Sequence, residues 1–221
     1  MISNAIDYSE QEKKTIEKIM GCPKFSGQSW ELEEARELAQ SIKKQYILKQ
    51  NTICPYCRRK LCTENGRDWD IEHIVPRATH PQFMFEPLNL CVACVECNKH
   101  KSDKKVTNST AQYKYPKKTN QFFIVHPHFD VYENHITVIE AGVFYMPTKD
   151  DIDFKSKGQR TIEICGLNRF LKYAGYDDYD IDICQQIDDL NYAASTARDS
   201  RSKQVFLKQI LMATMKSIRS T

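Results

Sequence analysis

The chain has 221 residues, 41% hydrophobic and 28% charged, with a formal net charge of +3. That length holds one good core, or one core and a small appended module, and the composition excludes a disordered or membrane-embedded chain. The near-balanced charge gives no strong whole-protein field, but 12 Lys/Arg against 7 Asp/Glu fall between residues 50 and 118. The basic excess is therefore local and suits a polyanionic partner there.

The start, Met1 to Asp7, lacks a basic stretch followed by an apolar one, so no signal peptide is expected. Ser9-Glu10-Gln11-Glu12 reads as a capping box opening a helix that Gly21 and Pro23 end. Trp30 to about Lys49 predicts a second helix, with Leu32, Ala35, Leu38, Ala39 and Ile42 on one face. The stretch from 50 to 110 is short, cysteine-rich and turn-rich. A module that small needs a staple. Residues 104–118 are polar and basic and read as a loop. Phe122–Val125, His135–Val138 and Val143–Tyr145 predict strands, the last two joined as a hairpin at Ala141–Gly142. From Lys157 the pattern is helical, with a long helix or helix pair after Ile181. No apolar run is long enough to cross a bilayer, so no membrane partner is expected. The predicted class is α+β, divided into an N-terminal helical region (1–49), a central module (50–110) and a mixed strand and helix region (111–221).

Nine cysteines are present. Cys54-x-x-Cys57 and Cys94-x-x-Cys97 have the spacing at which two tight turns each present two sulfurs to one tetrahedral zinc. Such spacing points to a reducing, cytoplasmic setting rather than to disulfides. Four buried free thiols, or a redox dithiol, are the alternatives, but no thioredoxin-like pattern accompanies the pairs. Cys62 and Cys91 are spare thiols near enough to replace a ligand. Four sulfurs saturate zinc and leave no place for water, so this ion is structural.

Between the cysteine pairs lies Trp69-Asp70-Ile71-Glu72-His73-Ile74-Val75-Pro76-Arg77, alternating as a strand does and stopping at a proline. Asn89 follows in a loop, and Asn98 comes directly after the last cysteine. These residues resemble the HNH endonuclease family, whose fold is the ββα-metal finger. The match covers about 50–105: Cys54-x-x-Cys57, Asp70-x-Glu72-His73-Ile74-x-Pro76, Asn89-Leu90 and Cys94-x-x-Cys97-Asn98-x-x-Lys101. One departure is Asn98, where the family often has histidine. An amide oxygen is a reasonable Mg²⁺ ligand.

The resemblance implies a phosphodiester hydrolase in which His73 is the general base and Asn89 holds its ring. Glu72 and Asn98 would bind one catalytic Mg²⁺ or Mn²⁺. Asp70 is either a third, or water-mediated, ligand or a strand cap, and Arg77 and Lys101 are candidate phosphate contacts. Lys101, Lys104, Lys105, Lys114, Lys117 and Lys118, with Tyr113 and Tyr115 among them, suit contact with nucleic acid, DNA or RNA, through charge and stacking. Tyr176 to Asp182 is acidic, either a solvated helix start or a docking face. His126-Pro127-His128-Phe129-Asp130 lacks matching ligand spacing and reads as a loop.

That last segment, with Glu133-Asn134-His135-Ile136 and Gly166-Leu167-Asn168-Arg169, looks similar to the HNH effectors of Septu-type and retron-linked anti-phage systems. It would imply a nuclease working with an ATPase partner. The alternative function is a zinc-stapled nucleic-acid-binding module or adaptor without catalysis. A plain zinc ribbon needs the cysteines but not Glu72, His73, Asn89 and Asn98 together.

Overall fold

The computed structural model describes residues 2–61, 66–110, 113–139, 142, 144–148, 156–174, 186, 189–190, 193–194 and 196–218. Cys62, Cys184 and the acidic stretch 176–182 lie outside these. The chain divides into two units, Met1–Leu167 and Asn168–Thr221.

In the first unit, α1 (Glu10–Met20) begins at the expected capping box: Ser9 accepts from the Glu12 N–H, and the Glu12 carboxylate reaches back to the Ser9 N–H. α2 (Glu33–Lys49) buries Ala35, Leu38, Ile42, Tyr46 and Ile47. It starts later than the sequence suggests. Trp30 belongs instead to a separate 3₁₀ turn, Gly27–Glu31, and extended Leu32 separates the two.

β1 (Trp69–His73) and β2 (Leu90–Cys94) pair antiparallel, with Trp69 opposite Cys94 and His73 opposite Leu90. α3 (Val95–Lys101) follows β2 without a break. Two strands alone leave polar edges exposed to mispairing, and here side chains cap them. On the outer edge of β2, the Gln50 amide pairs with both the N–H and C=O of Val92 at 2.8 Å. His128 Nε2 donates to Leu90 O at 2.7 Å, and Cys54 Sγ accepts from the Cys94 N–H at 3.4 Å. On β1, Lys43 and Lys101 donate to the carbonyls of Trp69 and His73.

The expected hairpin is present: β3 (Ile136–Ile139) pairs antiparallel with β4 (Phe144–Pro147). It braces the cysteine turn, for Tyr145 donates to Cys57 O at 2.7 Å, and nearby Tyr132 donates to Tyr56 O at 2.8 Å. Phe122–Val125, expected as a strand, makes only one bridge, Phe122 to Thr107. The Val125 N–H goes to the Thr161 hydroxyl of α4 (Lys157–Ile164) rather than to a neighbouring strand. His126 and Asp130 close the loop that follows: the His126 N–H donates to the Asp130 carboxylate, which also holds Lys157 at 2.6 Å.

In the second unit, α5 (Arg169–Tyr173) and α6 (Ser200–Ile218) carry the helical pattern expected there. No described helix is long and apolar enough to cross a membrane.

The Gln50 clamp yields a stability test. Gln50→Ala leaves the Val92 N–H and C=O buried and unpaired, at about 1–3 kcal/mol each. Urea unfolding of this variant is expected to lose at least about 2 kcal/mol; a loss under about 0.5 kcal/mol would contradict the clamp.

Candidate metal centre and histidine site

Cys54-Pro55-Tyr56-Cys57 forms a tight turn after α2. Arg58, in the left-handed region at φ 57°, reverses the chain so that its N–H meets Cys54 O and the Cys54 N–H meets Arg59 O. The second pair comes from the end of β2 and the first turn of α3. The four sulfurs lie within 4.8 Å of one another, with Cys57 and Cys94 at 3.9 Å. A tetrahedron of sulfurs about 2.3 Å from zinc has edges of about 3.8 Å, so the donor set and its spacing fit one zinc. Cys54, Cys57 and Cys97 are buried and Cys94 half-buried. Among the described residues no other group of three or more His, Cys, Asp or Glu side chains is gathered closely enough to hold a metal. Cys91 is buried outside the cluster, where burial pushes its thiol up.

His73 ends β1 with only 7% of its surface exposed. Its Nε2 lies 3.2 Å from the Met84 carbonyl. A carbonyl only accepts, so Nε2 carries the proton and Nδ1 keeps a lone pair. Burial, reinforced by Arg77 and Lys101, pushes its pKa down to about 3. The ring is therefore neutral at ordinary pH, not near its titration point as an unperturbed imidazole would be.

Asn89 makes no hydrogen bond to that ring, contrary to expectation. Its amide pairs with both the N–H and C=O of Val75 and donates to Phe83 O at 2.9 Å. It thus closes the loop 74–89 and fixes Met84, which in turn holds His73. The effect on the imidazole is one step removed.

The oxygens expected to share a cation fall into two groups. Asp70 accepts from the Asn98 amide at 3.0 Å, and both are half-buried. Glu72 is buried, with the Lys101 ammonium at 2.5 Å and the Tyr56 hydroxyl at 3.0 Å. Burial raises the Glu72 pKa, and Lys101 and Tyr56 counter it. Lys101, expected on phosphate, is 0% exposed because Glu72 and the His73 carbonyl draw its ammonium inward. Arg77 is likewise engaged by Gly27 O and Glu31. Of the two tyrosines expected to stack on bases, Tyr113 is 95% exposed, whereas Tyr115 is buried with its hydroxyl on His126 Nε2. Lys105 and Lys114 are exposed, and exposed Lys104 donates to Ile164 O at 3.1 Å.

Three contributors escaped sequence reasoning. Trp30 packs edge-to-face on His73 at 4.6 Å, and Tyr56 holds Glu72. Arg58-Arg59-Lys60, beside a groove of about 950 Å³ also lined by Tyr132 and Ile136, is a basic run that the sequence alone displays.

The buried pair makes a prediction. Lys101→Met strands the Glu72 carboxylate in the core and is expected to cost about 3–5 kcal/mol by chemical denaturation. Adding Glu72→Gln should recover a large part of that loss. Equal stability of Lys101→Met and wild type would mean that the pair is not buried.

No protein-family model matches the chain, and no solved structure matches it. Over 128 residues, 58% of this chain, it is 28% identical to Septu protein PtuB of Bacillus thuringiensis. The match spans 41% of that relative's length.

Proposed function

We propose that the chain is a metal-dependent endonuclease of the HNH kind, hydrolysing phosphodiester bonds of nucleic acid. The carrying observation is the geometry of the His73 imidazole, with Nε2 tied to Met84 O and a lone pair left on Nδ1, on the same strand as Asp70 beside Asn98. The succession β1–β2–α3, with four cysteines gathered at the β2–α3 junction, supports a ββα-metal finger stapled by zinc.

In this reading His73 Nδ1 takes the proton from the attacking water. Asp70 and Asn98 would hold a Mg²⁺ or Mn²⁺ ion once the amide turned its oxygen, instead of its N–H, toward the site, and Glu72 would join them only if its pair with Lys101 opened. When bound, that ion neutralises charge on the phosphate and the leaving oxygen. Asn89 keeps Met84 against Nε2 and so preserves the useful tautomer. Exposed Lys105, Lys114 and Tyr113 take the flanking nucleic acid, DNA or RNA, by charge and stacking. Arg77, turned to Gly27 and Glu31, acts through the fold.

Likeness to Septu protein PtuB supports a role in anti-phage defence, and the proposal extends to work in the cytoplasm together with an ATPase partner. α6 has Val205 and Met212 exposed on one side and Leu207 and Leu211 on the other, apolar side chains suited to docking.

A second reading, a zinc-stapled nucleic-acid-binding module without catalysis, has one observation in its favour. Both oxygen groups are already satisfied inside the protein, Glu72 by Lys101 and Asp70 by Asn98.

The two readings part on one experiment. Wild type and His73→Ala are incubated with plasmid, single-stranded DNA and total RNA, with Mg²⁺, Mn²⁺ or EDTA. Cleavage that EDTA abolishes and His73→Ala lowers by at least about a hundredfold is expected. Binding without cleavage under every condition, with the ATPase partner present or absent, would favour the second reading.

A further inference from the structure

We infer that Trp30 is a positioning residue for His73, brought to the site by the N-terminal region. The inference rests on the reading of His73 as general base. The indole and imidazole centroids are 4.6 Å apart with planes at 87°. On another side the indole leans on Phe85 at 5.7 Å, next to the Met84 carbonyl that holds Nε2. A single hydrogen bond at Nε2 fixes one atom and leaves the ring free to pivot about that bond. An aromatic wall at right angles removes the pivot, and edge-to-face geometry is an energy minimum for such pairs. The bond and the wall together set where the Nδ1 lone pair aims.

The turn that carries Trp30 is fastened to the chain just after His73. The Arg77 guanidinium donates to Gly27 O and pairs with Glu31 at 3.0 Å, the two ends of that turn. Gly27 approaches so closely that a Cβ there would lie 2.7 Å from Arg77 O and 3.1 Å from the Ala78 Cα. Only glycine fits that approach. Ser26 and Ser29 cap the turn reciprocally. Arg77 thus serves the reaction by holding the wall rather than by meeting phosphate.

Two kinds of variant separate this role from bulk stability. Trp30→Ala removes the wall, and Trp30→Phe keeps a smaller one. Gly27→Ala keeps the indole but pushes its turn off the Arg77 backbone. Trp30→Ala and Gly27→Ala are expected to lower kcat roughly ten- to a hundredfold with KM within about twofold, while Trp30→Phe retains most activity. In a His73→Ala background, Trp30→Ala should add nothing, because it acts through the lost ring.

The readout that needs no activity is the ring ¹⁵N spectrum of the imidazoles, in which tautomer and hydrogen bonding outweigh the ring current of a neighbouring indole. The His73 resonances should shift in Trp30→Ala and in Gly27→Ala, and those of the other histidines should stay. Unmoved His73 resonances in a folded Trp30→Ala or Gly27→Ala protein would overturn the inference, as would a full additional loss in the His73→Ala background. If no nuclease activity is found in any preparation, the imidazole shifts still decide whether Trp30 holds the ring, and the failure then belongs to the nuclease reading.

Discussion

The gathering of four sulfurs is the constraint on which the site depends. The turn at Cys54–Cys57 and the segment Cys94–Cys97 are separated by the whole of β1 and its following loop, and the cluster joins them. It fixes where α3 starts against β2. From that start, Cys97 and Lys101 sit one helical turn apart on the buried side of α3. Asn98 then falls beside Asp70 and Lys101 beside Glu72. A two-stranded sheet with one short helix has too little core to set these distances alone. Tyr132 and Tyr145 strengthen the clip by bonding to carbonyls within its turn.

A second layer of polar contacts orders the histidine. Asn89 ties both ends of the loop between the strands, the loop presents Met84 O, and Met84 O selects the tautomer of His73. Lys101 adds a charge beneath. Its ammonium neutralises Glu72 and holds the His73 carbonyl, and burial, aided by Arg77 and Lys101, keeps the imidazole uncharged. Buried ion pairs seldom stabilise a fold relative to apolar packing. This one sits directly under the strand end with the histidine, where the proposed reaction would develop negative charge.

The elements with a local signature were legible in the sequence. The capping box of α1, the cysteine spacing, the strand β1 that stops before Pro76 and the β3–β4 hairpin each depend on residues a few positions apart. What was not legible depends on long-range partners. Asn89 looks the same in a sequence whether its amide meets His73 or Val75. Lys101 reads as a surface cation until α3 turns it toward Glu72. Tyr115 lies in a basic, polar stretch, yet its ring is buried against Phe83 and Phe122 and its hydroxyl bonds His126. Phe122–Val125 has strand composition, but the Thr161 hydroxyl takes the place of a strand partner. Trp30 has the spacing of a helix start, and nothing local tells of a histidine 43 positions away.

Because the sulfur cluster positions everything else, the most direct measurement is X-ray absorption at the zinc edge on protein purified without added metal, together with its elemental content. The account predicts one zinc per chain with four sulfur neighbours at about 2.3 Å and no nitrogen or oxygen in that shell. Protein that is folded yet free of zinc, or a zinc bound partly by nitrogen or oxygen, would contradict it.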